Sequence, residues 1–302
     1  MSTPSLSILN SMAGRDFSAA LDRHVEWRIQ QLDLKDCIFG KSISELTDLE
    51  AQRARDEIVA RGLSVYCLSS SVFASDVEVG EDAFRKRHDP ALKRILAVAR
   101  ILKPAYVRLI GAQTSRRKEI PNSTSYLNEH HPWVFKAYGD AIDRIFDAGF
   151  KTVIENEVEN QILIHAREIR DFFSMIERPH KVRFTWDIAN SWQASAFPSL
   201  ATYRELTPII GYIHVKGGKP GASGALAYAS SLRDTTWPVR EILSEAIRDG
   251  VSPVICLNPP HGAPAPGDDS SSVTERDLTF MRDLLAANGQ QPYATGSSIT
   301  RA

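Results

Sequence analysis

Eight short apolar runs recur along the chain, and stretches with helical periodicity separate them. The runs are rich in Val, Ile, Leu and aromatic residues, and turn-forming residues flank most of them, as is typical of buried strands. They span residues 5–9, 31–35, 63–69, 105–110, 151–156, 183–188, 211–216 and 253–258. Between them, the apolar periodicity predicts helices over residues 15–31, 42–62, 90–104, 132–150, 162–176, 198–206, 238–250 and 273–289.

This alternation predicts a closed barrel of parallel strands. Parallel neighbours need crossover helices, and eight β/α units in a chain of 302 residues match a (β/α)8 TIM barrel. An open doubly wound sheet is the alternative, but no G-x-G-x-x-G follows the first strand. We expect one barrel domain over residues 1–288 and a polar tail over residues 289–302. Long loops after the strands, at 111–131, 217–237 and 259–272, place the active-site face at the carboxyl ends of the strands.

Composition and charge exclude several classes of protein. The formal net charge is −1, and without a basic stretch we expect neither a nucleic-acid partner nor a membrane partner. Cys37, Cys67 and Cys256 lie far apart and form no C-x-x-C motif, which disfavours a disulfide framework and fits a reducing compartment. No run reaches about 18 apolar residues, and the N-terminus lacks a signal-peptide pattern. We therefore expect a cytoplasmic protein, with a homo-oligomer left open.

The later strands end in polar residues at matching positions. Glu155, Asp187, His214 and Asn258 each occupy the last inward position of strands five to eight, because side chains alternate along a strand. Their apolar neighbours then face the helices. Two carboxylates and an imidazole at one rim can hold a divalent cation; Mn²⁺ is the first choice, with Mg²⁺, Co²⁺ or Zn²⁺ as alternatives.

These strand ends give the chain its resemblance to a known family. The order of Glu155, then "WDIAN", "HVK" and "CLNPPHG" resembles the xylose isomerase-like TIM barrel superfamily, over residues 5–287. Its members include sugar isomerases and epimerases, inosose and dehydroshikimate dehydratases, and endonuclease IV-type enzymes. The resemblance implies that Glu155, Asp187 and His214 bind metal. A strand-eight glutamate usually completes that site, and here Asn258 stands in its place.

Asn258 changes the mechanism that the resemblance implies. Its carbonyl oxygen can coordinate a metal, but an amide accepts no proton at neutral pH, so a two-carboxylate epimerase is disfavoured. One-base chemistry remains, with Glu155 as the base, a metal-stabilised enediolate, and His261 and Lys216 as candidate second acids. Ordinary alternatives are an ion pair for Lys216 with Glu155 or Asp187, and a loop histidine for His261.

Three further residues are candidates for binding substrate. Arg108 near the end of strand four can bind a hydroxyl or phosphate, or form a salt bridge within the barrel. Asn190 and Trp192 follow Asp187, and an indole can support a sugar ring or simply pack. The segment GGKPGASG (217–224) is either a lid or a surface loop.

The function expected from these features is that of a metal-dependent isomerase or epimerase acting on a sugar or keto-sugar. A lyase of the same superfamily, acting by α-proton abstraction and β-elimination, is the second hypothesis. A non-catalytic ligand-binding barrel with a degraded metal site is the third. A nuclease is disfavoured, because the chain is near neutral and most histidines lie away from strand ends.

Overall fold

A closed barrel of eight parallel strands forms the centre of the protein in a computed structural model. The structure describes residues 3–158, 160–221, 226–228, 231–259 and 270–289. The strands of the barrel are β1 Ser5–Leu9, β2 Gln31–Leu34, β3 Ser64–Leu68, β4 Tyr106–Ile110, β5 Lys151–Glu155, β6 Val182–Asp187, β7 Ile210–Val215 and β10 Val254–Leu257. They follow the closed order β1-β10-β7-β6-β5-β4-β3-β2. A two-stranded hairpin, β8 Lys219–Pro220 and β9 Leu226–Tyr228, follows β7. The predicted (β/α)8 barrel is confirmed.

Helices cover the outside of this barrel. They are α1 Phe17–Glu26, α2 Asp48–Ala60, α3 Glu81–Leu102, α4 Ser123–His130, α5 Trp133–Asp147, α6 Ala166–Ile176, α7 Ile188–Gln193, α8 Leu200–Leu206, α9 Val239–Asp249 and α10 Ser270–Gly289. In the described part of the chain, no helix combines the length and apolar character that a membrane span requires.

Several predicted helix starts need correction, among them that of α6, which begins at Ala166 rather than at residue 162. Helix α3 begins at Glu81, nine residues before the predicted start, and carries Pro90 within its length. Helix α2 begins after Thr47 rather than at Ser42, because Thr47 and Glu50 form the capping box. Ser42 and Glu45 bond to each other in the preceding turn, where the backbone N–H of Ser42 donates to Glu45 over 2.8 Å.

Alternation along the strands separates two apolar layers. Outward residues such as Ile154, Trp186 and Ile213 join the main core between barrel and helices. Inward residues form a smaller cluster inside the barrel, made of Tyr66, Cys67, Val153, Tyr212, Val254 and Cys256. The ring of Tyr66 meets the ring of Tyr212 edge-on at 5.0 Å. This packed layer forms the floor on which the polar strand ends lie.

Candidate metal centre at the carboxyl ends of the strands

Four adjacent strands deliver the four residues that the alternation predicted to face inward. Glu155 ends β5, Asp187 ends β6, His214 is the penultimate residue of β7, and Asn258 directly follows β10. Asp187 pairs with His214 in the β6–β7 ladder, which brings the two side chains to the same height. All four side chains are buried. The structure therefore brings all four predicted ligand positions together.

Three of these residues form a group that can hold a metal ion. Glu155, Asp187 and His214 each offer one ligand atom, and the three atoms lie within 4.8 Å of one another. Two carboxylate oxygens and one imidazole nitrogen suit a hard or borderline divalent cation. The donor set therefore fits such a cation, with two carboxylate ligands from adjacent strands.

The two carboxylate oxygens of Asp187 have different hydrogen-bond partners. As the N-cap of α7, it accepts the backbone N–H of Asn190 at 2.9 Å through Oδ1. N-cap aspartates satisfy one of the free N–H groups at a helix start, and this fixes the rotamer of the side chain. Oδ2 is left facing the centre of the site. The immediate passage from β6 into α7 thus orients the carboxylate.

Lys216 forms the ion pair with Asp187 that the sequence allowed. Its ammonium donates to Asp187 Oδ2 over 2.9 Å and to the side-chain oxygen of Asn190 over 2.7 Å, and the lysine is 2% exposed. A metal ion bound by Asp187 would share this carboxylate with Lys216. The buried ammonium therefore competes with the cation for the same oxygen.

Arg108 makes the same kind of pair with Glu155. Its guanidinium contacts Glu155 Oε2 and donates to the backbone oxygens of Ser69 at 3.0 Å and Ser70 at 3.3 Å. Burial would raise the pKa of Glu155, but Arg108 and then His214 hold that pKa well below its usual range. Glu155 is thus ionised throughout the neutral range. Arg108 directs its donors at protein groups, as expected for a salt bridge within the barrel.

His214 lies between two carboxylates. Its Nδ1 is 2.8 Å from Glu155 Oε1, and its Nε2 is 3.3 Å from Asp33 Oδ2 on the opposite side of the ring. Burial would lower the pKa of His214, but Glu155 and Asp33 raise it to about 9. Because a metal ligand must be a neutral imidazole, cation binding at Nδ1 competes with a proton.

Asn258 turns the nitrogen of its amide towards this group. The nitrogen lies 3.1 Å from Asp187 Oδ2 and 3.0 Å from His214 Nδ1, while the amide oxygen faces the Cys256 thiol at 3.7 Å. In this orientation the amide donates to a ligand carboxylate. Asn258 acts as a neutral partner of the cluster where a glutamate would add a negative charge.

Three polar residues of the site were missed by the sequence analysis. Asp33 on β2 is fully buried beside His214. The Asn156 side chain ties β5 to β6, since its oxygen accepts the Asp187 N–H and its nitrogen donates to the Asp187 carbonyl, both at 2.9 Å. Glu157 is partly buried, and its pKa is raised by burial and by the charge of Glu155. The inward parity of β2 could have identified Asp33.

The remaining predicted residues lie beside or outside this cluster. Asn190 is 2% exposed and bonds to Lys216 and to the Asn156 carbonyl, the latter at 3.0 Å. Trp192 is also 2% exposed, and a Cβ added to Gly218 would lie 2.3 Å from the Leu226 side chain and 3.6 Å from this indole. Leu226 of the hairpin and the Trp192 indole therefore both lie beside Gly218, and β9 contacts α7. His261 lies outside the described residues.

Comparison with known proteins agrees with this fold. No family model matches the sequence, and no curated protein matches it. Solved structures do match over almost the whole chain. A xylose isomerase-like TIM barrel protein from Mycobacterium smegmatis, in complex with magnesium, aligns with 15% identity and a TM-score of 0.68, over 95% of this chain and 98% of its own.

Two further solved structures carry names of enzymes. A D-psicose 3-epimerase solved in the presence of D-fructose aligns with 16% identity and a TM-score of 0.68, covering 93% of this chain and 99% of its own. A probable 3-DHS dehydratase, AsbF, from Bacillus anthracis aligns with 12% identity and a TM-score of 0.68, covering 92% and 98%. At these identities the likeness establishes the fold alone, a (β/α)8 TIM barrel.

Proposed function

We propose that this protein is a divalent-metal-dependent isomerase or epimerase acting on a sugar or keto-sugar. One observation carries the proposal: ligand atoms of Glu155, Asp187 and His214 lie within 4.8 Å of one another at the carboxyl ends of the strands. Barrels of this class keep their chemistry at that face. The fold shared with an epimerase and with a magnesium-containing relative supports the same assignment.

The residues of the cluster would have separate roles in binding the cation and in moving the proton. Glu155, Asp187 and His214 would hold the cation, for which we propose Mn²⁺, with Asn258 as a neutral neighbour. When bound, the cation would polarise a substrate carbonyl and stabilise the negative charge that develops when the adjacent C–H bond is broken. Glu155 is the proposed proton acceptor because its carboxylate belongs to the ligand group; to act as a base it must first be released from Arg108 and His214, which lower its pKa.

A second group must return the proton to the substrate. Lys216 is the candidate among the described residues, since its buried ammonium already reaches the centre of the site through Asp187. His261, three residues after Asn258 in the sequence, is the other candidate. Asn190 and Trp192 would bind the substrate from α7, which contacts strand β9 of the hairpin.

A lyase is the second proposal, and Asn258 is the observation that favours it. Position 258 lies against Asp187 and His214, where an acid could return a proton from the far face, and the amide there cannot do so. Loss of a β-leaving group requires one base and no proton return to the α-carbon. The shared fold with a probable dehydratase is compatible with that reaction.

The test is a substrate screen in deuterated water with Mn²⁺. Ketoses, inososes and 3-keto-glycosides are incubated with the purified protein, and solvent deuterium in the products is measured by mass spectrometry and NMR. An isomerase or epimerase places deuterium on carbon in a rearranged sugar, whereas a lyase releases an unsaturated product. Chelation with EDTA should abolish either reaction, and Mn²⁺ should restore it.

Metal content separates these enzymes from a non-catalytic barrel. Protein purified without chelators should hold close to one equivalent of divalent metal after equilibration with Mn²⁺ and desalting. A content below about a tenth of an equivalent would contradict the metal site, as would Mn²⁺ titrations without saturable heat. In that case the internal ion pairs of Lys216 and Arg108 would be the permanent partners of the carboxylates.

A further inference from the structure

A cavity opens at the amino ends of the strands, on the face of the barrel opposite the candidate metal centre. Its volume is about 410 Å³, and its lining includes Tyr106, Lys151 and Arg183. Tyr106 is the first residue of β4, Lys151 the first of β5 and Arg183 the second of β6. Because all barrel strands run parallel, this cavity and the proposed ligands lie at opposite ends of the barrel.

The charged side chains of this cavity are both cations. Among the described residues that line it, Lys151 and Arg183 are charged and none is a carboxylate. In the described part of the chain neither of them forms a salt bridge, and Arg183 donates one hydrogen bond, to the carbonyl of Pro208 over 2.8 Å. The Lys151 ammonium and the other N–H groups of the guanidinium are therefore available to a ligand.

Gly211 on β7 provides the space in which Arg183 lies. The register between β6 and β7 shifts at this point, where Phe184 pairs with Ile210 and Thr185 with Tyr212, so Gly211 is the extra residue of a bulge. A Cβ added to Gly211 would lie 2.5 Å from Arg183 Cβ and 2.7 Å from its Cγ. Bulges at the rims of barrels redirect side chains. The absence of a side chain at position 211 therefore sets the path of Arg183 into the cavity.

Tyr106 adds a neutral donor to the two cations. Its ring meets the ring of Tyr66 edge-on at 5.5 Å, in the aromatic layer that separates the two ends of the barrel. Burial raises the pKa of the Tyr106 phenol, although the charge of nearby Arg183 opposes this shift. The hydroxyl therefore stays protonated in the neutral range and can donate to an anion.

We propose that this cavity binds the phosphate group of a small molecule, with Arg183 and Lys151 as ionic partners and Tyr106 as a neutral donor. Guanidinium and ammonium groups both bind phosphate oxygens through charge-assisted hydrogen bonds. The three donors come from three adjacent strands, β4, β5 and β6. Small-molecule sites commonly have volumes of about 300–1,000 Å³, so this cavity has room for more than the phosphate group. The site shares no residue with the proposed metal centre and goes beyond the proposed function.

The experiment is calorimetric titration of the full chain with inorganic phosphate and, separately, with glycerol 3-phosphate. The protein is first treated with EDTA and desalted, and the ionic strength is held constant with NaCl. We expect saturable binding to the wild type. Lys151→Met and Arg183→Met each remove one charged donor, so each should raise the Kd about tenfold or more. Tighter binding of glycerol 3-phosphate would identify phosphate esters as the ligands, and equal binding would identify free phosphate.

Two further variants separate a built site from diffuse positive charge. Gly211→Ala keeps both cations but displaces Arg183, so it should also raise the Kd for inorganic phosphate. Arg248→Met removes a cation from a cavity of about 400 Å³ that is also lined by Glu241 and Glu245, and it should leave the Kd unchanged. Equal weakening in Arg248→Met and Arg183→Met would overturn the site, because net charge alone would then explain binding.

The absence of saturable heat from the wild type with either phosphate would also overturn the proposal. So would Lys151→Met and Arg183→Met variants that bind as tightly as the wild type, since phosphate would then bind elsewhere. The thermal transition checks the fold of each variant, and the exposed Lys151→Met keeps the test decisive if Gly211→Ala does not fold. Because chelated protein is used, failure of the metal site would leave these outcomes unchanged.

Discussion

The amide nitrogen of Asn258 lies 3.1 Å from Asp187 Oδ2, so the side chain after β10 contacts a proposed ligand without adding a charge. The same nitrogen is 3.0 Å from His214 Nδ1, so a single neutral side chain contacts two of the three ligands. Two of the three proposed ligands, Glu155 and Asp187, are carboxylates, and the residue that follows β10 adds no third carboxylate. That difference leads to the first prediction.

Replacing Asn258 by Glu should tighten divalent metal binding. The new carboxylate adds a negative charge beside Asp187 and His214, and metal affinity rises with the number of charged oxygen ligands. We expect the Kd for Mn²⁺, measured by calorimetry, to fall by at least about tenfold. Asn258→Gln is the matched control, since it has the length of Glu without the charge and should give no gain. Equal affinities in both variants would mean that position 258 is peripheral.

Glu155→Gln should abolish turnover and leave the barrel folded. The amide can still accept from Arg108 but cannot remove a proton, so we expect a loss of at least about 100-fold in kcat. Solvent deuterium incorporation is the direct measurement, and the thermal transition checks the fold. The exposed Glu129→Gln makes the same chemical change away from the site and should be neutral. Full activity in Glu155→Gln with loss in Glu157→Gln would move the base to Glu157.

Lys216→Met should make the stability of the protein depend on metal. Removing the ammonium leaves the buried Asp187 carboxylate without its cation, which destabilises a protein by about 3–5 kcal/mol. A divalent cation can replace that charge, so Mn²⁺ should raise the Tm of Lys216→Met more than that of the wild type. Lys216→Arg keeps a positive charge and should behave like the wild type. An equal metal-induced shift in all three proteins would show that Lys216 and the metal do not compete.

Asp277→Asn should flatten the pH dependence of stability in the acidic range. Asp277 on α10 accepts from the Ser231 hydroxyl at 2.6 Å and the Leu232 N–H at 2.8 Å, and burial raises its pKa to about 6. The folded state therefore holds this proton more tightly than the unfolded state, for which the ordinary value is 3.8. The associated stabilisation is complete below pH 3.8 and is lost as the pH rises through about 6.

The measurement is urea unfolding of wild type and Asp277→Asn at several pH values between 4 and 7. The difference in unfolding free energy should change by up to about 3 kcal/mol in favour of the variant as the pH rises, because the amide has no charge to bury. The oxygen of asparagine can still accept from Ser231 and Leu232. A constant difference between the two proteins over this range would contradict the raised pKa.

The barrel could be predicted because its strands are short, buried and separated by periodic helices. Inward parity also placed Glu155, Asp187, His214 and Asn258 correctly, since neighbouring parallel strands keep their ends at one height. Helix α3 was predicted too short because Pro90 was read as a first-turn residue, whereas it lies inside the helix. Helix α7 has only six residues and starts directly after β6, so it is too short to show the apolar periodicity from which a helix is predicted.

The ion pairs within the site could not be predicted from the sequence of each strand taken alone. Lys216 and Arg108 could equally have pointed at a substrate, and only the geometry across the barrel directs them to Asp187 and Glu155. Asp33 lies more than a hundred residues from His214 in the chain, and its contact depends on which strands face each other. Such contacts follow from the closure of the barrel, which strand patterns do not specify residue by residue.

The short helix α7 links the proposed ligand set to the entrance of the barrel. Its first turn is capped by Asp187, and Trp192 near its end lies beside Gly218, as does the hairpin residue Leu226. A single turn and a half of helix therefore separates a carboxylate of the cluster from the contact that α7 makes with the hairpin strand β9.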